Sequence, residues 1–213
     1  MKKNTVLLPA ILLAALAFSS CKKDGTTTPK DYSSLFTNKI WTGEFHYTNK
    51  PVQPVSIEFK DGGQLMWNEQ ASENSGTWKV ENSDVTVSFS NGSGFKASIV
   101  DDNKLTNFQS SSASAYAMDN LALNNDPFPS LDNTVWNGTN IQMTFKPGNL
   151  VDLKIGAGVL YPNLSYTLKA KSFRINPLAA YKWFFVYGGA LNMKGANQFS
   201  PDPTLYTFQI NKQ

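Results

Sequence analysis

The chain has one cysteine and one histidine in 213 residues, Cys21 and His46. A lone cysteine excludes any intramolecular disulfide. Zinc sites need three or four Cys, His or carboxylate ligands, and nucleophilic triads need a base, usually histidine, beside the nucleophile. One histidine and one cysteine give little support to either set, and His46 lies in the strand-like run Phe45-His46-Tyr47, where a structural or exposed histidine is the expectation. No glycine-rich loop follows a strand to cradle phosphates. Charge is scarce too, at 16% of residues against about 25% in an average soluble protein. Paired carboxylates are the one enzymatic route left, with Glu44, Glu58, Asp61, Glu69 and Glu73 all in the first half. Asp61 sits in a turn and Glu58 on a polar strand face, where solvated carboxylates belong. Asp101-Asp102-Asn103 lacks the spaced oxygen ligands of a calcium loop. The expectation is a protein without catalytic residues, metal or cofactor.

Long hydrophobic runs are missing as well. The longest apolar stretch runs from Val6 to Phe18, thirteen residues interrupted by Pro9. A membrane-spanning helix needs about 20 such residues, whereas the core of a signal peptide needs about 7–15. Two lysines, Lys2 and Lys3, precede the stretch, and it ends in Phe18-Ser19-Ser20-Cys21. This arrangement resembles the lipobox of bacterial lipoproteins, with Phe18 where that motif most often has leucine. The start Cys21-Lys22-Lys23-Asp24 resembles mature ends of lipoproteins of the Bacteroidota. The resemblance implies a signal peptide over 1–20, lipidation of Cys21, and membrane attachment at the cell envelope through the acyl chains. By the same analogy, the absence of Asp directly after Cys21 argues for the outer membrane. Residues 21–30 hold no apolar side chain to bury after Cys21 and read as a flexible tether.

What is abundant points to sheet. Aromatics reach 13%, and strands favour aromatic and β-branched residues. Apolar residues alternate with polar ones, the signature of half-buried strands. Val55, Ile57 and Phe59 are expected inward and Ser56, Glu58 and Lys60 in water. Asp61-Gly62-Gly63 then supplies a turn. Leu164, Tyr166 and Leu168 form another expected inward row. The pattern also repeats. Asn38-Lys39-Ile40-Trp41-Thr42-Gly43 recurs as Asn133-Thr134-Val135-Trp136-Asn137-Gly138. Ile57-Glu58-Phe59-Lys60-Asp61-Gly62 matches Met143-Thr144-Phe145-Lys146-Pro147-Gly148. Gly76-Thr77-Trp78-Lys79 matches Tyr166-Thr167-Leu168-Lys169, and Leu121-Ala122-Leu123-Asn124 matches Phe208-Gln209-Ile210-Asn211. The order is the same in both halves, which predicts two tandem antiparallel β units, 31–125 and 131–213, with the proline-bearing segment 124–131 marking their boundary.

A Trp-x-Gly that opens the first strand of a meander resembles the lipocalin-like proteins of bacterial envelopes. The resemblance implies two all-β, lipocalin-like barrels, with Trp41 and Trp136 as floor residues rather than ligand contacts.

The function expected from these features is non-catalytic binding of a small apolar or amphipathic ligand or a glycan. The rival is a structural or protein-interaction lipoprotein whose barrel interiors are simply filled. The candidate ligand surface is the aromatic run 181–187, which alternation divides into Tyr181, Trp183, Phe185 and Tyr187 on one face and Lys182, Phe184 and Val186 on the other. Lys169, Lys171 and Arg174 lie on nearby strands as a candidate basic rim for an anionic ligand. A strand apolar on both faces also fits a position sandwiched between the two units. Charge differs between the halves. Asp31–Asn125 has six lysines against eleven acids, or −5, and Leu131–Gln213 has eight basic residues against three acids, or +5. The acidic unit is therefore expected to dock on the basic one, or the basic one to face an anionic surface. Nucleic acid is not expected as a partner, because the envelope is the wrong compartment for it.

Overall fold

A computed structural model describes residues 30–70, 72–111, 116–176, 181–199 and 204–213. The expected signal peptide, Cys21 and the expected tether up to residue 29 lie outside them. Alternation builds sixteen strands among the described residues. The first eight are β1 (Lys39–Tyr47), β2 (Gln53–Phe59), β3 (Gln64–Asn68), β4 (Glu73–Glu81), β5 (Asp84–Phe89), β6 (Gly94–Asp101), β7 (Lys104–Ser110) and β8 (Tyr116–Leu123). The second eight are β9 (Val135–Gly138), β10 (Ile141–Lys146), β11 (Leu150–Ile155), β12 (Val159–Lys169), β13 (Ser172–Ile175), β14 (Tyr181–Gly189), β15 (Asn192–Phe199) and β16 (Leu205–Lys212). Each set pairs in sequence order and antiparallel, and β8 returns to β1 as β16 returns to β9. The chain is all-β, with two closed eight-stranded barrels in tandem. Closure leaves neither sheet an open edge.

Inside the first barrel, Val55, Ile57 and Phe59 are fully buried beside Leu65, Trp67, Val85, Val87 and Phe95. The turn after β2 places Gly62 and Gly63 at φ 61° and 70°, a left-handed conformation that glycine adopts without steric cost. Trp41 closes one end. Its ring stacks on Phe36 at 5.0 Å and 6°, and its Nε1 donates to the Leu35 carbonyl at 3.1 Å. Both partners come from the short 3-10 turn Ser33–Leu35 and the residue after it. Trp136 has the same place in the second barrel. It is fully buried with Leu131, and its Nε1 donates to Thr134 Oγ1 at 3.0 Å. Asn38 and Asn133 both turn the chain into these strands with φ of 56° and 59°, which asparagine tolerates better than most residues.

The strands of the two barrels correspond one to one, and part of the expected residue matching slips by two. Phe59 faces Leu65 and Leu65 faces Gly76, while Phe145 faces Val151 and Val151 faces Leu164. Trp78 is therefore the counterpart of Tyr166, and they pack on Phe59 and Phe145 at 5.7 and 5.3 Å. Leu121 faces Gly43 and Asn211 faces Asn137, so Leu121 corresponds to Ile210 rather than Phe208. A slip of two keeps every side chain on its own face, so the alternation pattern cannot detect it.

The barrels pack side by side through outward faces. β14 packs against β1 and β2, and β15 against β2. Ser56, expected in water, is instead fully buried, and its Oγ donates to the Ala170 carbonyl. The second barrel covers that face of β2. Phe184 and Val186 are buried although they point away from their own barrel's core, which places β14 in the sandwiched position. Leu168 corrects a second expectation. It pairs with Phe173 on the inward side, but near the end of β12 it stands 43% exposed.

The opposite charges meet across this contact. Lys194 Nζ lies 2.5 Å from Glu44 Oε2, and Lys169 Nζ lies 2.5 Å from Glu73 Oε2.

Candidate functional site

The end of the first barrel opposite Trp41 holds a cavity. Inward positions near the ends of four strands converge there: Phe45 and Tyr47 from β1, Trp67 from β3, Phe89 from β5 and Tyr116 from β8. Their rings bound a cavity of about 550 Å³, and the rim is polar, formed by Glu73, Asn74, Ser75, Ser90, Asn91 and Ser93. Among the described residues, Glu73 is the one charged residue of the lining.

The cup is held by ring contacts. Trp67 meets Phe45 at 5.1 Å, Phe89 at 5.9 Å and Tyr116 at 6.2 Å, and Tyr47 meets Phe45 at 5.4 Å, all edge-on. Edge-to-face pairs suit the ring quadrupole and add about 0.5–1.5 kcal/mol each beyond burial. The pairing of Tyr47 with Tyr116 sets β1 and β8 in register at the mouth. On the rim, Asn91 Oδ1 accepts from the Ser93 amide at 3.0 Å and from its hydroxyl at 2.6 Å.

Beside the cup lies a buried carboxyl group. Glu69 is only 3% exposed. The Tyr47 hydroxyl reaches both of its oxygens at 3.3 Å, and Ser72 Oγ donates to Oε1 at 2.9 Å. Burial dominates and raises the Glu69 pKa above its ordinary value, against hydrogen bonds from Ser72, Trp67 and Tyr47 and the charge of Arg174. Burial, then the nearby Glu69 charge, pushes the Tyr47 hydroxyl up to about 12. Burial is likewise the main cause that raises the Tyr116 hydroxyl. Its oxygen is buried with no hydrogen-bond partner among the described residues.

The expected ligand cluster is divided by the fold. Trp183, Phe185 and Tyr187 point into the second barrel. There, Phe185 stacks on Phe173 at 4.9 Å and on Trp183 at 6.3 Å, and Trp183 stacks on Phe208 at 5.4 Å. The side chain of Tyr181 lies outside the described residues. Lys169 and Arg174 instead meet the first barrel through Glu73. Lys171 donates to the Asn124 carbonyl and to the Asp126 carbonyl, the latter at 2.6 Å, in the segment between the barrels. The three basic residues therefore hold the two barrels and their connection together, and none lines the aromatic cup.

None of the five aromatic cup residues is among the ligand candidates that the sequence offers. The available signal was that Phe45, Tyr47, Trp67, Phe89 and Tyr116 lie at or near strand ends. Among the described residues no group of three His, Cys, Asp or Glu side chains is placed to hold a metal ion. His46 sits on the outer surface, with Nδ1 2.9 Å from Asp119 Oδ2. A second cavity of about 320 Å³ lies in the groove between the barrels, where Glu44, Asn124, Asp126 and Lys194 are among its lining. It is walled by groups that already bond one another.

No family model, curated protein or solved structure matches the chain.

Proposed function

We propose that this protein is a lipid-anchored lipoprotein of the bacterial outer membrane whose first barrel binds a small amphipathic ligand without transforming it. The supporting observation is the cup of about 550 Å³ with aromatic walls and a hydroxyl and amide rim. That volume falls in the range of about 300–1,000 Å³ usual for small-molecule sites. The walls suit a flat apolar face, either an aromatic ring or the face of a sugar ring, and the rim suits its hydroxyl or carbonyl groups. The second barrel, which carries a ring stack inside, serves as the partner that the first barrel leans on. Cys21, as the lipidated residue, supplies the anchor.

The ring stack inside the second barrel also favours the rival reading, a purely structural or interaction protein. One experiment separates them. The Cys21→Ser chain purified from its own cells is examined by native mass spectrometry and titrated with the uncharged fluorophore N-phenylnaphthylamine. A retained small molecule, or probe uptake lost on Trp67→Ala, supports ligand binding. An empty protein that ignores the probe supports the structural reading. Anchoring has its own test, since Cys21→Ser should move the protein from the membrane to the soluble fraction.

A further inference from the structure

The ligand cup and the second barrel share a wall. Glu73 lines the cup at the start of β4 and pairs with Lys169 and, at 3.5 Å, with Arg174 Nε. Just before it in the chain, Glu69 takes the hydroxyl of the cup residue Tyr47. Glu69 and Gln70 lie between β3 and β4, outside both strands, and both are buried, so their carbonyls need donors. Arg174 of β13 supplies them. Its Nη1 donates to the Gln70 carbonyl at 2.9 Å, and its Nη2 donates to the Ser72 carbonyl at 2.8 Å and to that of Glu69. The guanidinium lies over the Phe184 ring at 4.9 Å, which orients it. Gln70 Nε2 returns a bond to the Lys182 carbonyl at 3.1 Å. Five donors in a rigid plane suit this task, and the three donors of a lysine ammonium do not reproduce the fork.

We infer that Arg174 of the second barrel is a positioning residue for the cup of the first, so that ligand occupancy and barrel docking are energetically coupled. The inference rests on the binding proposed for the cup. The guanidinium sets the backbone that carries Glu69, Glu69 sets Tyr47, and Glu73 stands on the rim itself. The charges and apolar surface that join the barrels thereby also set the shape of the mouth. Linkage makes the effect reciprocal: a ligand that prefers the formed cup tightens the docked arrangement by the same factor.

The test uses the whole Cys21→Ser chain, with N-phenylnaphthylamine affinity and amide hydrogen exchange over residues 45–47 and 72–75 as its two readouts. Arg174→Ala is expected to weaken the probe about tenfold, a usual size for coupling between sites, and to speed exchange at both segments. Ethylguanidinium should restore both readouts in part, whereas ethylammonium at the same concentration should not. General loss of folding would not be repaired so selectively. Should Arg174→Ala fail to fold, Arg174→Lys takes its place, with a smaller loss in the same direction. Unchanged exchange at both segments, or restoration by ethylammonium as well, overturns the inference. If the unsubstituted chain ignores the probe, the binding proposal fails, and the exchange measurement still decides whether Arg174 positions the cup.

Discussion

Gly43 of β1 lies so close under β8 that a Cβ on it would stand 1.6 Å from the Asn120 carbonyl oxygen. Gly138 repeats the relationship in the second barrel, where a Cβ would meet the Gln209 carbonyl oxygen at 2.5 Å. Each glycine sits two residues after the buried tryptophan, where the last strand returns to the first. The Trp-x-Gly motif therefore has a structural meaning in both barrels. The tryptophan fills the closed end, and the glycine lets the closing strand approach.

Gly43→Ala should cost the first barrel about 4 kcal/mol or more, because backbone must move to admit the methyl group. Gly138→Ala should cost less, about 1–3 kcal/mol, since its nearest backbone contact, the Gln209 carbonyl oxygen, lies at 2.5 Å rather than 1.6 Å. Urea unfolding of the two variants should show that order.

Trp41→Ala should lose about 3–5 kcal/mol, the usual cost of emptying an aromatic core site, together with the Nε1 bond to Leu35. Uptake of N-phenylnaphthylamine by the protein that remains folded should persist, since the cup lies at the opposite end. Trp67→Ala should abolish that uptake. Fluorescence titration below the melting temperature checks both.

Glu69→Gln should change how stability depends on pH. Burial raises the folded pKa of Glu69 above its ordinary value of 4.5, so the folded state binds this proton more tightly than the unfolded chain. Stability from this group is then fully present below pH 4.5 and is lost as pH rises through the folded value. Glutamine keeps hydrogen bonds to Tyr47 and Ser72 and cannot ionise. The difference in stability, Glu69→Gln minus unsubstituted, should therefore grow more favourable with rising pH across that window. Ser72, Trp67, Tyr47, Tyr116 and Arg174 face Glu69, and Tyr47 titrates far above this window. A flat difference in melting temperature from pH 4 to pH 8 would refute the assignment.

Lys194→Ala should cost under about 1 kcal/mol, as expected for a partly exposed ion pair. Ser56→Arg should separate the barrels, because Ser56 is fully buried against the second barrel. Small-angle scattering of Ser56→Arg should show an expanded particle. High salt alone should not, since the buried Phe184 and Val186 do not depend on charge.

The contrast between β2 and β14 shows how far the sequence can be read. Val55-Ser56-Ile57-Glu58-Phe59 reads as a strand with one wet face, and its inward residues are indeed buried. Ser56 breaks the pattern only because another barrel lies on it, and a polar side chain with a backbone acceptor is as compatible with burial as with water. In β14 both faces are apolar, which is legible as a strand covered on two sides. Arg174 is written like any other basic residue on a strand, and only the folded chain brings three carbonyls within its reach.

The sequence by itself determined the strands, the turns, the duplication and the motif that closes each barrel, because these follow from local alternation, glycine and asparagine backbone freedom, and repeated order. The tertiary structure decided which outward faces meet, which rings stack inside the second barrel and where the cup forms. Those outcomes depend on side chains from distant strands sharing one space, and an alternating pattern records a residue's face without recording what stands opposite it.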